Sequence, residues 1–182
     1  MKKHYIGVDN GVTGSVAVLS EDGQLVSYAA VPTKKVLGYT KKMKFLRKID
    51  VVGLEKLIEG LPGAVVLLER PATNKNWSFN SLESSIRADE AVNIVVERLG
   101  YSLHYVDSRE WQKEMLPVKT VPRAKKGASE EEKKKLRQAR TRVKKQTKEA
   151  SLNIGRRLFP GAEFKGDADS ALMAEWARRK NL

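Results

Sequence analysis

The sequence predicts an α/β fold: a mixed five-stranded sheet, opened by a three-strand antiparallel meander, continued by parallel strands and flanked by helices. Three observations predict it. Three short apolar runs rich in β-branched residues follow one another within the first 31 residues, separated only by turn signals. Helical and strand-like periodicities then alternate. One later run, "AVVLLE" at 64–69, is apolar almost throughout, as suits a strand covered on both faces.

The meander is "YIGVD" (5–9), "SVAVLS" (15–20) and "QLVSYAAV" (24–31), joined through "NGVTG" and "EDG". Gly11 and Gly14 turn the chain tightly and leave room beside Asp9. The stretch "KKVLGYTKKMKFLRK" (34–48) reads as basic and flexible. Leu54, Leu57, Ile58 and Leu61 give 51–61 helical spacing, and Gly60, Pro62 and Gly63 stop it. After the strand at 64–69, a long amphipathic helix runs from Asn80 to Leu99 and closes at Gly100. "SLHYVD" (102–107) is the fifth strand. Ser108 is placed to cap the short helix "REWQKEML", which Pro117 terminates. "SEEE" (129–132) has capping-box spacing, with Ser129 as N-cap and Glu132 at N3. A helix from about Ser129 to Leu158 follows, broken by Pro160 and Gly161. The Ala-rich "DADSALMAEWARR" (167–179) is the last helix, with acids at its start and arginines at its end, as the helix dipole favours. This order matches that of ribonuclease H-like folds.

At 182 residues the chain suits one domain, 1–182, with a sizeable core. No 18-residue apolar stretch is present, so no membrane-spanning helix is expected. The basic start "MKKHYIGVDNG" has no apolar region of signal-peptide length, and there is no cysteine for a disulfide or thiolate zinc site. A cytoplasmic setting fits. The net charge of +13 favours a polyanion, nucleic acid first and an anionic membrane second. Segment 119–148 holds 13 Lys and Arg against three Glu, so +10 of the total lies in 30 residues. The alternative for that segment is a solvated, charged helix.

Carboxylates stand at comparable points of three separated regions. Asp9 ends the first strand, Glu69 ends the buried fourth, and Asp167 and Asp169 open the last helix. Crowded carboxylates repel and raise each other's pKa, and a hard divalent cation removes that cost. Two such ions can bridge a phosphodiester and promote its hydrolysis. Blander roles exist: Asp9 as a turn residue, Glu69 as a partner of Arg70, Asp167 and Asp169 as a cap and a first-turn acid. Residues i and i+2 of a helix point about 200° apart, so Asp167 joins Asp169 at one ion only from a pre-helical turn.

At these residues the sequence resembles the RuvC-type Holliday junction resolvases, bacteriophage members in particular. The carriers are "IGVDNGVTGSVAV", "VVLLERP", "TKEASLNIGRRLFP" and "DADSALMA", in that order and over nearly the whole chain. The resemblance implies a ribonuclease H-like fold, a homodimer and a structure-selective endodeoxyribonuclease. Its substrate would be a four-way DNA junction, nicked symmetrically in two opposed strands with Mg²⁺, replaceable by Mn²⁺, and no small-molecule cofactor. If the chain is phage-encoded, it acts in the bacterial host's cytoplasm. Asp9, Glu69 and Asp169 match metal-binding acids, joined by Asp167; Lys148 matches a lysine near the scissile phosphate, and Lys119 a second basic position. Arg123, Lys125, Lys126, Arg140, Arg142, Lys144 and Lys145 would grip duplex arms through phosphates. Two departures stand out. Gly166 occupies the place of an acid or histidine three residues before the final aspartate. Ala72 stands where an aromatic would unstack the crossover, leaving Trp77 or Phe79 as the nearest candidates. "RAKKGASEEEKKK" reads as an insertion.

The helix at 80–99 offers Leu82, Ile86, Val92, Val95, Val96 and Leu99 either to a dimer contact or to its own sheet. Rival functions are another ribonuclease H-like nuclease acting on branched DNA or RNA, and a non-enzymatic DNA-binding module whose acids are caps. An actin- or sugar-kinase-like ATPase using Thr13 and the loop amides needs two lobes, for which the chain is too short.

Overall fold

The computed structural model describes residues 3–40, 43–71, 78–117, 127 and 129–182. Its main sheet has five strands in the order β3-β2-β1-β6-β7. These are β1 (His4–Val8), β2 (Ser15–Ser20), β3 (Leu25–Ala30), β6 (Val65–Glu69) and β7 (Ser102–Val106). β1–β2 and β2–β3 pair antiparallel; β1–β6 and β6–β7 pair parallel. The mixed sheet expected from the sequence is therefore present, with the meander at one edge.

Alternation along the strands feeds two cores. Tyr5, Ala17, Leu19, Val65 and Leu67 face one side, where α3 (Ser108–Met115), α4 (Glu130–Leu158) and α5 (Asp169–Lys180) pack. Ile6, Val8, Val16, Val18, Val66 and Leu68 face the other, under α1 (Val51–Ile58) and α2 (Phe79–Leu99). β6 contributes to both, which explains its unbroken apolar run. α5 lies directly on β1: a Cβ on Gly7 would sit 1.9 Å from the Ser170 carbonyl oxygen. That approach needs glycine, and it carries the start of α5 to the end of the sheet where Asp9 stands.

Four local expectations change. The described residues of 34–48 belong to a two-stranded antiparallel ribbon, β4 (Thr33–Thr40) and β5 (Met43–Ile49), instead of a flexible stretch. α1 stops at Ile58, short of Leu61. The cap of α3 is Asp107, whose side chain accepts from the Arg109 N–H at 2.8 Å; Ser108 is already helical. α5 begins at Asp169, so Asp167 lies in the turn before it. The capping box of α4 forms as read: Ser129 Oγ accepts from the Glu132 N–H and the Glu132 carboxylate accepts from the Ser129 N–H. Among the described residues no helix is long and apolar enough to cross a membrane.

In α2, Val92, Val95 and Val96 are buried against the sheet, and Leu99 packs beside them. For these positions the internal role holds. Phe79, Ile86 and Ile94 remain 77%, 54% and 39% exposed.

Candidate active site

Asp9 follows β1 and opens a turn in which its backbone N–H donates to the Ser15 carbonyl at 2.9 Å. Gly14 is held close: a Cβ there would lie 1.9 Å from the Asp9 carbonyl oxygen. Gly11 adopts φ +142°, with open space around it. The turn expected from these glycines is thus formed, and it leaves the Asp9 side chain at the sheet mouth.

Glu69 ends β6, beside β1. Its partner is the fully buried indole of Trp111 on α3, which donates Nε1–H to Oε1 at 2.6 Å. Asp169 opens α5 and accepts a hydrogen bond from the hydroxyl of Ser151, a fully buried residue of α4. The same Ser151 oxygen accepts from the Ala168 N–H at 3.1 Å, fixing the turn before α5. Asp167, in that turn, accepts from Lys148 Nζ at 2.9 Å and faces the Asp169 N–H at 3.4 Å.

The four carboxyls share one electrostatic neighbourhood. Burial pushes Asp9 up to about 7, and the charges of Asp167, Asp169 and Glu69 add to it, while Lys148 opposes. Asp169 is pushed up to about 6 by burial, with Ser151 opposing and Asp167 adding. Burial raises Glu69 as well, against the Trp111 hydrogen bond, and Asp169, Asp107 and Asp167 add repulsion. Lys148 is held above the usual lysine range, first by its hydrogen bond to Asp167 and then by the charge of that residue. Glu175 gives the contrast. Burial disfavours its charge too, yet Arg178 and Arg179 bond it at 2.7 Å each and bring it below the usual carboxylate range. A structural buried acid in this protein is neutralised by arginines. The acids at the sheet mouth are not neutralised to that degree.

The donor set is all hard oxygen, in negative excess and penalised when charged, which suits a divalent cation of the Mg²⁺ class. Among the described residues, no three His, Asp or Glu side chains are arranged as they stand to hold a metal ion. Three of the four carboxyls hold a side-chain partner: Glu69 has Trp111, Asp169 has Ser151 and Asp167 has Lys148. Asp9 accepts no side-chain hydrogen bond from the described residues. Chemistry and backbone placement fit an ion: Trp111 and Ser151 engage Glu69 Oε1 and Asp169 Oδ1, and the second oxygen of each carboxylate is left to a cation.

Beside the carboxyls runs a groove of about 350 Å³ lined by Gln112, Arg140, Val143, Lys144, Thr147, Lys148 and Asp169. Arg140, Lys144 and Lys148 recur every four residues and so form one stripe of α4. Arg142 and Lys145 do not line it, and Lys145 lies 3.9 Å from Glu149 on the helix surface. Lys119, Arg123, Lys125 and Lys126 lie outside the described residues, as do Ala72 and Trp77.

Sequence reasoning missed Trp111 and Ser151. Both act through a site acid, 42 and 18 residues away along the chain, so only packing reveals them. Trp111→Phe removes the indole N–H and leaves Glu69 with burial and repulsion alone. We expect divalent-cation affinity to fall about 10–100-fold, the usual effect of losing a group that orients a ligand; titration calorimetry with Mn²⁺ measures it. Unchanged affinity would remove Trp111 from the site.

No family model matches the chain, and no curated protein does. Among solved structures, the fold is similar to that of RuvC. T. thermophilus RuvC in complex with Holliday junction substrate superposes with a TM-score of 0.59 at 11% identity, covering 99% of this chain and 96% of that one. A Thermus thermophilus RuvC structure aligns with a TM-score of 0.47 and 11% identity, over 100% and 97%.

Proposed function

We propose that this protein is a divalent-metal-dependent endonuclease that resolves four-way DNA junctions. One observation carries the reading: mutually repelling carboxyls from three separated chain regions meet at the end of a ribonuclease H-like sheet, beside a cationic helix stripe. The junction bound by the structural neighbour supplies the substrate class. Asp9, Glu69 and Asp169, with Asp167 at their rim, would hold two Mg²⁺ ions, which would supply activation of water and stabilisation of the leaving oxygen.

The chain's own groups do the rest. Trp111 and Ser151 orient Glu69 and Asp169. Lys148, with a side chain 54% exposed and anchored on Asp167, stays protonated and presents its ammonium to the phosphate as charge builds there. Arg140 and Lys144 hold the adjoining phosphates, which positions DNA without reading sequence. Replacing both with alanine should flatten the dependence of log K on log salt by about 1.8, at about 0.9 per lost contact. A filter-binding series on a four-way junction measures this, and an unchanged slope would take α4 out of the interface.

The deciding experiment is incubation of a synthetic immobile junction with Mg²⁺ and mapping of both nicks. Paired, symmetrical nicks support resolution. Scattered single nicks, or better cutting of single strands or RNA, support a different nuclease of this fold. Paired nicking needs two sites, so we propose a homodimer, with the exposed Phe79, Ile86 and Ile94 of α2 as its apolar contact. Analytical ultracentrifugation tests it: Ile86→Glu should shift dimer to monomer.

A further inference from the structure

The β4–β5 ribbon is a second concentration of positive charge, separate from α4. Residues 34–48 contain seven Lys and Arg and no acid. Its register sets Lys34 opposite Lys48, Lys35 opposite Arg47, and Leu37 opposite Phe45. Like charges directly opposite destabilise a strand pair, and an isolated two-stranded ribbon has little stability to lose. Asp50 lies 3.4 Å from Lys34 and eases one pair. No acid within the ribbon eases the other.

Side chains alternate across a strand, so Lys35 and Leu37 share a face with Arg47 and Phe45. That face points outward: Lys35 and Arg47 are exposed, and Leu37 and Phe45 are 75% and 60% exposed. Two cations and two large apolar side chains thus stand together on a narrow, twisted ribbon. The ribbon is rooted firmly. The Val31 N–H donates to the Gly14 carbonyl at 3.0 Å and the Asp50 N–H to the Pro32 carbonyl at 2.9 Å. Val31 and Ile49 are buried in the core beneath α1 and α2. Gly14 belongs to the turn that carries Asp9, so the ribbon leaves the sheet at the site's end. It does so on the face opposite α4.

We infer that the β4–β5 ribbon is a second DNA-binding element, lying in a groove of a duplex arm on the other flank of the carboxylate mouth from α4. Lys35 and Arg47 contact phosphates across the groove, which relieves their mutual repulsion. Leu37 and Phe45 contact sugars and base edges. A two-stranded ribbon fits the major groove of B-form DNA, and apolar side chains on DNA-binding surfaces pack against base steps. The partner, DNA, rests on the nuclease reading above; the ribbon's part in binding it does not follow from that reading.

The test compares three variants of the full chain on a four-way junction across a salt series. For Lys35→Ala/Arg47→Ala the salt slope should flatten by about 1.8 and binding weaken about tenfold at 0.1 M salt. Its melting temperature should stay level or rise, because a repulsive pair is gone; a ribbon with a purely structural role predicts no change in slope. For Leu37→Ser/Phe45→Ser binding should weaken with the slope unchanged, since no charge is lost. Arg140→Ala/Lys144→Ala is the control. If it flattens the slope and the ribbon variants do not, the ribbon is not a DNA element and the nuclease reading stands. If none of the three alters binding, both fall. A change in sedimentation mass with DNA binding intact assigns the outer face to self-association and overturns the inference.

Discussion

Asp9→Asn should abolish junction cleavage, by at least roughly 10³-fold, more than the 10–100-fold typical of residues that only support a ligand. Junction binding should stay as tight or tighten. Both effects follow from one change. The substitution removes a hard anionic oxygen from the sheet mouth, where Asp9 is the acid whose pKa rises furthest, to about 7, through burial and the charges of Asp167, Asp169 and Glu69. It also removes a negative charge that faces the phosphate backbone, so electrostatic attraction to DNA gains. The fold loses little. The contacts that fix this turn are the backbone N–H of Asp9 to Ser15 and the close approach of Gly14, and Asn keeps both. The metal-free variant should melt higher than the parent, because one member of a repelling, desolvated set has become neutral. Gel-shift, nicking and melting measurements on one preparation give the three readouts. Cleavage at parental rate would sink the assignment; loss of binding together with cleavage would make Asp9 a structural residue.

The carboxyls of the candidate site could be singled out because strand ends can be read from hydrophobic runs. "YIGVD" and "VVLLE" each stop at a carboxylate, and parallel pairing of β1 with β6 then sets those ends side by side. For Asp167 helix geometry set only a condition: two acids at i and i+2 cannot share a face, the sequence opened the last helix at 167, and the chain instead starts α5 at Asp169. What holds the acids was not legible. Arg70 adjoins Glu69 in sequence, but the partner is Trp111, brought under β6 by the packing of α3. Ser151 reaches Asp169 because α4 crosses the start of α5 closely at Gly155, where a Cβ would meet the Ala168 Cβ at 2.3 Å. The ribbon was missed for a different reason. Strand prediction looks for apolar and polar residues in alternation, and β4–β5 places lysine or arginine on both of its faces. A pattern that opposes pairing conceals a strand, and the same pattern points to an anionic partner.

The second large effect is a linkage between pH, divalent cation and stability. Asp9 is raised from 3.8 to about 7 and Asp169 from 3.8 to about 6, with Glu69 raised in the same direction. The folded protein therefore binds more protons than the unfolded chain between about pH 4 and 7. Stability from these groups is fully present below the unfolded value and is lost as pH rises through the folded ones. For Asp9 the loss is on the order of 4 kcal/mol, or about 10 °C in Tm for a chain of this size. Metal-free protein should thus melt lower at pH 8 than at pH 5. Mg²⁺ reverses this at pH 8, where the carboxylates are charged and bind it, and does little at pH 5, where protons already neutralise them. Comparison with Asp9→Asn isolates the contribution of Asp9, since that variant lacks the acid raised to about 7 and should show a flatter profile and a smaller Mg²⁺ shift. Calorimetry at pH 5 and pH 8, with and without Mg²⁺, decides it. A Tm that climbs from pH 5 to pH 8 in metal-free protein, or a Mg²⁺ shift of equal size at both, would mean that the four carboxyls do not form a single charged site.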